Sequence, residues 1–256
     1  MKSLRAFLKK EWLEQLRSGR MAILGILFVL FGIMNPAIAK LMPWLFEVMA
    51  DTLEGSGLTL TAATISAMDS WTQFFKNIPL ALLAFILLES GVFTKEYQSG
   101  TLVLALTKGL DRYKVVLAKA LTLLALWSAG YWLCFGITYG YNAYFWDNAA
   151  AQNLLFSALC WWLFGVWVTA LTVLFSAGAR SNTAVLAGTG AVVLAAYLIG
   201  MLPKAKGYMP TRLMDGNSLL FGLSGARDYT ASLIVTAAFC VICLAASIPI
   251  FNKKQL

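Results

Sequence analysis

Six predominantly apolar runs, at roughly 21–44, 74–94, 113–138, 153–177, 183–202 and 229–251, constrain this chain more than any other feature. The hydrocarbon core of a bilayer is about 30 Å thick, and a helix rising 1.5 Å per residue crosses it in about 20 residues. Inside that core no water satisfies backbone N–H and C=O groups, so a segment of this kind must be helical. Only 12% of the residues are charged, about half the soluble average of ~25%. The expectation is an all-α integral membrane protein, a single transmembrane domain over residues 1–256. It carries an amphipathic helix at 1–20 and six spans between 21 and 251.

Charge sets the orientation. An even number of spans puts both ends on one side. That side, with the connections 95–119 and 178–182, holds fourteen of the twenty Lys and Arg residues. Acidic residues run the other way. The positive-inside rule therefore predicts cytoplasmic termini. The basic balance reports topology and contact with anionic membrane lipids, and gives no reason to expect nucleic-acid binding. The first twenty residues, MKSLRAFLKKEWLEQLRSGR, are too charged for a cleavable leader. On a 100° wheel Leu4, Phe7, Leu8, Trp12 and Leu16 share one side, opposite Lys9, Lys10, Arg17 and Arg20. The pattern suits a helix lying on the membrane surface. Glu11, Gln15 and Arg5 intrude on the stripe.

Several chemistries are excluded. Histidine is absent, which removes the commonest general base and metal ligand, and no metal site is expected. No G-x-x-x-x-G-K-[ST] phosphate loop occurs. Cys134, Cys160, Cys240 and Cys243 all lie inside apolar runs and read as buried thiols, the C-x-x-C spacing of the last two included. No catalytic residue is assigned, and the chain is not expected to be an enzyme. Glu89 is the one acid inside an expected span. A carboxylate there costs on the order of 3 kcal/mol on insertion scales. Two readings stay open for it: a place in a transport path or an ion pair with Lys119 or Arg180, or a solvated group near the inner interface. In the fifth run Ala184, Ala187, Gly188 and Ala191 have the spacing that lets helices approach closely, within the chain or between two copies. On the far side, 45–73 starts with a stretch suited to a short interfacial helix, 139–152 is an aromatic-rich loop, and the SLLFGL piece within 203–228 is too short to span.

Between the second and third runs lies a charged, glycine-broken segment, 95–112, whose centre TLVLALT cannot cross a membrane. Thr101 and Asp111 suit helix N-caps, and Gly109 suits a helix end. Glu96, Gly100, Thr101, Leu102, Leu106, Thr107, Arg112, Ala118 and Lys119 form a pattern that resembles the ATP-binding-cassette (ABC) type-2 permease family. Here Gly109-Leu110 replaces the Pro of many relatives. The resemblance implies that residues 1–20 are an elbow helix and that 95–112 is a cytoplasmic coupling segment docking on a separate ATPase subunit, which would bind ATP and Mg. Leu102, Val103 and Leu106 would present an apolar face to that subunit. Glu96 would cap Gly100-Thr101 or pair with Arg112. The chain would be half the pore of an exporter in a bacterial inner membrane, paired with a second copy or a sister permease. A stand-alone transporter or channel using Glu89 as a proton or cation site is the alternative, and a non-transporting scaffold is a third reading.

Overall fold

A computed structural model describes residues 2–53, 66–107 and 109–254, and every regular element among them is helical. In chain order the α-helices are α1 (Lys2–Arg17), α2 (Arg20–Leu53), α3 (Ala67–Glu89), α4 (Thr94–Ser99), α5 (Thr101–Thr107), α6 (Arg112–Phe145), α7 (Leu154–Gly178), α8 (Asn182–Gly200), α9 (Gly216–Leu220) and α10 (Thr230–Lys253). Six segments are long and apolar enough to cross a membrane: Arg20–Trp44, Ala67–Ser99, Arg112–Phe145, Leu154–Gly178, Asn182–Gly200 and Ala226–Lys253. The six expected spans are all present. The protein is an all-helical membrane protein.

The helices run past the expected boundaries at the end away from the chain termini. α3 starts at Ala67, where Asp69 Oδ2 accepts the Ser66 N–H at 2.9 Å. α6 continues through YGYNAYF to Phe145, so half of the expected aromatic loop is helix. Nothing in that stretch breaks a helix. The chain turns only at Trp146, after which Asp147 accepts the Ala149 N–H. α2 likewise continues to Leu53 rather than yielding to a separate interfacial helix; residues 54–65 of that connection lie outside the described residues.

α7 is the pillar of the bundle, with α10 and α8 against it and α6 on another side. Its glycine makes the closest packing possible. A Cβ on Gly165 would lie 2.1 Å from Trp127 Cζ2, so the indole of α6 sits directly on the α7 backbone. Trp127 is fully buried, with Phe28, Phe85 and Tyr131 around it at centroid distances of 6.0, 5.6 and 5.4 Å. Its N–H reaches the Trp162 carbonyl at 3.1 Å, and the Tyr131 hydroxyl reaches that of Ala158 at 2.8 Å. The aromatic cluster thus packs α2, α3, α6 and α7 without stranding a polar tip.

A polar thread ties the same helices further along. Asn77 donates to Asn35 at 2.9 Å, Asn35 to Thr138 at 3.3 Å, and Thr138 to the Gly32 carbonyl at 3.0 Å. Lys40 leans over the Phe145 ring at 3.7 Å, which keeps its charge near the α6 end. On α8 the small residues divide. A Cβ on Gly188 would meet Phe175 at 2.5 Å, so that glycine serves packing within the chain, while Ala184, Ala187 and Ala191 face outward.

The segment after α8 folds back into the bundle. A 3-10 turn, Pro210–Met214, leads to the short α9. Trp161 donates to the Met214 carbonyl at 2.8 Å, Ser157 to that of Gly216 at 3.3 Å, and Tyr229 to that of Asp215 at 3.0 Å. Leu213, Leu219 and Leu220 are buried while Phe221 and Leu223 are exposed. The carbonyls of Met214, Asp215 and Gly216, just before the SLLFGL piece, are thus satisfied by α7 side chains and by Tyr229, and the piece folds against the bundle without crossing it. Gly165→Leu is expected to wedge α6 from α7 and lower stability by about 1–3 kcal/mol or more, the cost of overpacking. A drop in the thermal midpoint of the detergent-solubilised protein checks this.

Candidate coupling site

The end of the bundle that carries both chain termini gathers α1, α4, α5, the first turns of α6 and the last residues of α10. Glycines route the chain through it. α3 stops at Glu89, and Ser90 to Phe93 turn into the short α4. Gly100 then adopts φ 68° and Gly109 φ 85°, left-handed conformations that L side chains resist. The glycine at 100 carries the reversal between α4 and α5. Thr101 is the first residue of α5 rather than its cap, and its hydroxyl lies 2.9 Å from that of Ser99. Asp111 stands at the N-cap position of α6 but pairs with Lys114 and accepts no capping N–H.

At the centre is Lys119, with only 1% of its side chain exposed. Its three N–H donors are all used: Glu11 Oε1 at 3.1 Å, Glu11 Oε2 at 3.0 Å and the Val92 carbonyl at 2.9 Å. Glu96 Oε2 lies 3.0 Å from the same nitrogen, a charge contact without hydrogen-bond geometry. Lys10 closes the group from outside. It reaches Glu11 at 3.1 Å and Glu14 at 2.8 Å, and it also contacts Glu96. Two ammonium groups, from α1 and α6, thus interleave with three carboxylates, two from α1 and one from α4. The oxygens of Glu11, Glu14 and Glu96 lie within 4.8 Å of one another, close enough to ligate a cation, but Lys10 and Lys119 already pair with them.

Burial alone would lower the Lys10 pKa, but the Glu11 charge and the bonds to Glu14 and Glu96 hold it above its ordinary value. Burial would raise that of Glu14, yet the bond to Lys10 holds it below. The signs define a window. A raised lysine contributes fully below its ordinary 10.5 and is lost as pH rises through the folded value. A depressed carboxylate contributes above its ordinary 4.5 and is lost as pH falls through the folded value.

Glu89 is fully buried and accepts a hydrogen bond from Gln15 Nε2 at 2.7 Å. Of the readings open for it, neither the solvated carboxylate nor the ion pair with Lys119 or Arg180 is seen. It is a second dock for α1, one turn beyond Glu11. Glu96 likewise neither caps Gly100-Thr101 nor pairs with Arg112, because Lys119 and Lys10 sit closer. Arg112 instead straps the end of α10, donating to the carbonyls of Phe251, Asn252 and Lys254 at 2.9, 3.1 and 2.9 Å. Phe251 packs between Phe93 and Tyr97. The Lys254 ammonium lies 3.6 Å over the Tyr97 ring; burial, with Arg180 adding, pushes it down to about 8.

The expected apolar face of α5 is turned. Leu102 is buried at 1% exposure and Leu106 packs partly against the core. A 102/106 pair falls on one side of a helix, and the reversal at Gly100 points that side inward. Among the described side chains of α5, Val103 and Leu104 are the apolar ones left exposed. Glu11 and Gln15 were passed over by sequence reasoning as flaws in an amphipathic stripe. Polar residues at i and i+4 on the otherwise apolar face were the signal for partners in the neighbouring spans. The four cysteines are buried free thiols.

The sequence matches the ABC-2 family transporter protein family over residues 5–256. The chain belongs to that family. Its members are components of membrane transport and not themselves catalytic. The chain is also similar to the uncharacterized transmembrane protein YxlG of Bacillus subtilis (strain 168), 22% identical over 251 residues, which cover 96% of this chain and 95% of that protein.

Lys119→Met would leave Glu11 and Glu96 buried with less compensation. The expected loss is about 3–5 kcal/mol, read from thermal unfolding in detergent. A pH series should show stability falling below about 4.5 as Glu14 protonates, by less than about 1 kcal/mol because Glu14 and Lys10 are two-fifths exposed. Glu14→Gln should reduce that decline.

Proposed function

We propose that this permease is the membrane-spanning subunit of an ABC exporter, with both termini in the cytoplasm and α5 docking on a separate ATPase subunit that binds ATP and Mg. The observation that carries this is the ionic joint of Lys119, Glu11, Glu96 and Lys10, whose α4 member leads through Gly100 straight into α5. A push on the exposed Val103 and Leu104 reaches α4 through Gly100. From there the joint passes it to α1 and α6, and Gln15–Glu89 passes it to α3. Helices tied at one end by charge pairs move as a unit, which suits rigid-body tilting of the spans. Six spans would form half of a pathway, completed by a second copy or a sister permease. The positive bias of this end supports placing it inside a bacterial plasma membrane.

The reading of Glu89 as an independent proton or cation site gains less from the geometry. Gln15 engages one of its carboxylate oxygens, the other is buried without a hydrogen-bond partner among the described residues, and the residue lines neither of the two recesses beside α8. The test is recovery of the tagged chain from native membranes in mild detergent. A phosphate-loop ATPase should accompany the native chain and be lost, with folding intact, in Val103→Asp and Leu104→Asp, since both positions face outward. Recovery of the chain alone, moving solute in liposomes without ATP, would overturn the proposal.

A further inference from the structure

Two recesses lie along one face of α8. The first, of about 300 Å³, is a half-open hollow between α3, α7 and α8, lined by Pro79, Trp161, Phe164, Val193, Met214 and further apolar residues together with Thr189. The second, of about 420 Å³, lies towards the end opposite the termini and is lined by Tyr197, Lys206, Thr211, Arg212 and Asp215, with Gly200 and Met201 at its edge. Leu186, Thr189 and Val193 belong to the first and Tyr197 and Gly200 to the second, a run of three- and four-residue steps that forms one stripe on a helix. On the segment that folds back after α8, Met214 lines one recess and Asp215 the next. The two are consecutive stations on the same surface.

Their chemistries differ. In the first the Trp161 N–H is taken by the Met214 carbonyl, which leaves the Thr189 hydroxyl, 3% exposed and without a hydrogen-bond partner among the described residues. Thr169, Thr172 and Thr236 each reach back to the carbonyl four residues earlier, and Thr189 does not. The second recess is positive. Asp215 is shared between Arg212 at 3.2 Å and Ser218, whose hydroxyl it accepts at 2.7 Å. Lys206 forms no ion pair among the described residues.

We propose that the two recesses form one binding site for an anionic amphiphile. A phosphate-like or carboxylate head rests against Lys206 and Arg212, and a hydrocarbon chain runs past Val193 into the apolar cavity. From Tyr197 to Thr189 the stripe covers about 12 Å of helix, so Thr189 supplies a donor for an oxygen carried well down the chain. The leaflet that holds the head follows from the orientation proposed above, but binding itself does not depend on it or on an ATPase.

The test uses the full chain in phosphatidylcholine nanodiscs with labelled dodecyl phosphate, and dodecanol and inorganic phosphate as competitors. Saturable binding is expected, displaced by unlabelled dodecyl phosphate and at least tenfold less well by either competitor. Lys206→Gln should weaken it about tenfold, the scale of one charge-assisted hydrogen bond. Gly190 lines the cavity and a Cβ there meets nothing within 4 Å, so Gly190→Leu should fill the cavity without a clash and abolish binding. Both variants should keep the native elution profile and thermal midpoint. Absence of saturable binding, or binding that neither variant alters, overturns the site. Dodecanol competing as well as dodecyl phosphate overturns the anionic head, and inorganic phosphate competing as well overturns the chain.

Discussion

A lysine ammonium taken out of water must find compensating charge, and Lys119 finds it on two other helices at once. Its three donors are all spent on Glu11 and the Val92 carbonyl, while Glu96 stands beside it as a second counter-charge. Desolvating such a group costs several kcal/mol, so it stays buried only when the partners are held in place. That requirement fixes the position of α1. The helix cannot lift away from the bundle without stranding charges on α4 and α6, and Gln15 on Glu89 adds a second attachment one turn along. The rest of this end is arranged around the joint. Gly100 and Gly109 route the chain into and out of α5 next to it, and Arg112 holds the end of α10 alongside.

The middle of the bundle is built on a different principle. Between helices immersed in lipid there is no hydrophobic drive to associate, and close van der Waals contact takes its place. Gly165 against Trp127, Gly130 against Phe28 and Gly188 against Phe175 are three instances of one device, an aromatic ring laid on a bare backbone. The Asn35–Asn77–Thr138 thread supplements them with hydrogen bonds that water cannot contest. The terminal end is therefore held by charge and the middle by shape.

The spans were legible in the sequence because a twenty-residue apolar run in a bilayer has few alternatives to a helix. The charge bias and the glycine-broken 95–112 segment were legible for similar reasons of local chemistry. What sequence could not yield was which way each face points. Leu102 and Leu106 have the composition of a docking face, yet the reversal at Gly100 turns them inward and leaves Val103 and Leu104 outside. Glu11 and Gln15 looked like defects of an amphipathic helix because their partners, Lys119 and Glu89, lie more than seventy residues away. Helix ends were misplaced where no breaker marks them, as at 139–145 of α6, since aromatic residues at a membrane boundary are compatible with either helix or loop.

The strap between Arg112 and the carbonyls of Phe251, Asn252 and Lys254 bears on the order in which the molecule is made. Residues 11, 96 and 119 all precede α7, α8 and α10 in the chain, so the ionic joint is able to close while those spans are still being inserted. The backbone acceptors of Arg112 come later in the chain, with α10. Until α10 docks, water serves the part-exposed guanidinium, and the strap then takes its place. The terminal end of the bundle thus closes in two stages, an early one set by buried charge and a later one set by the docking of α10.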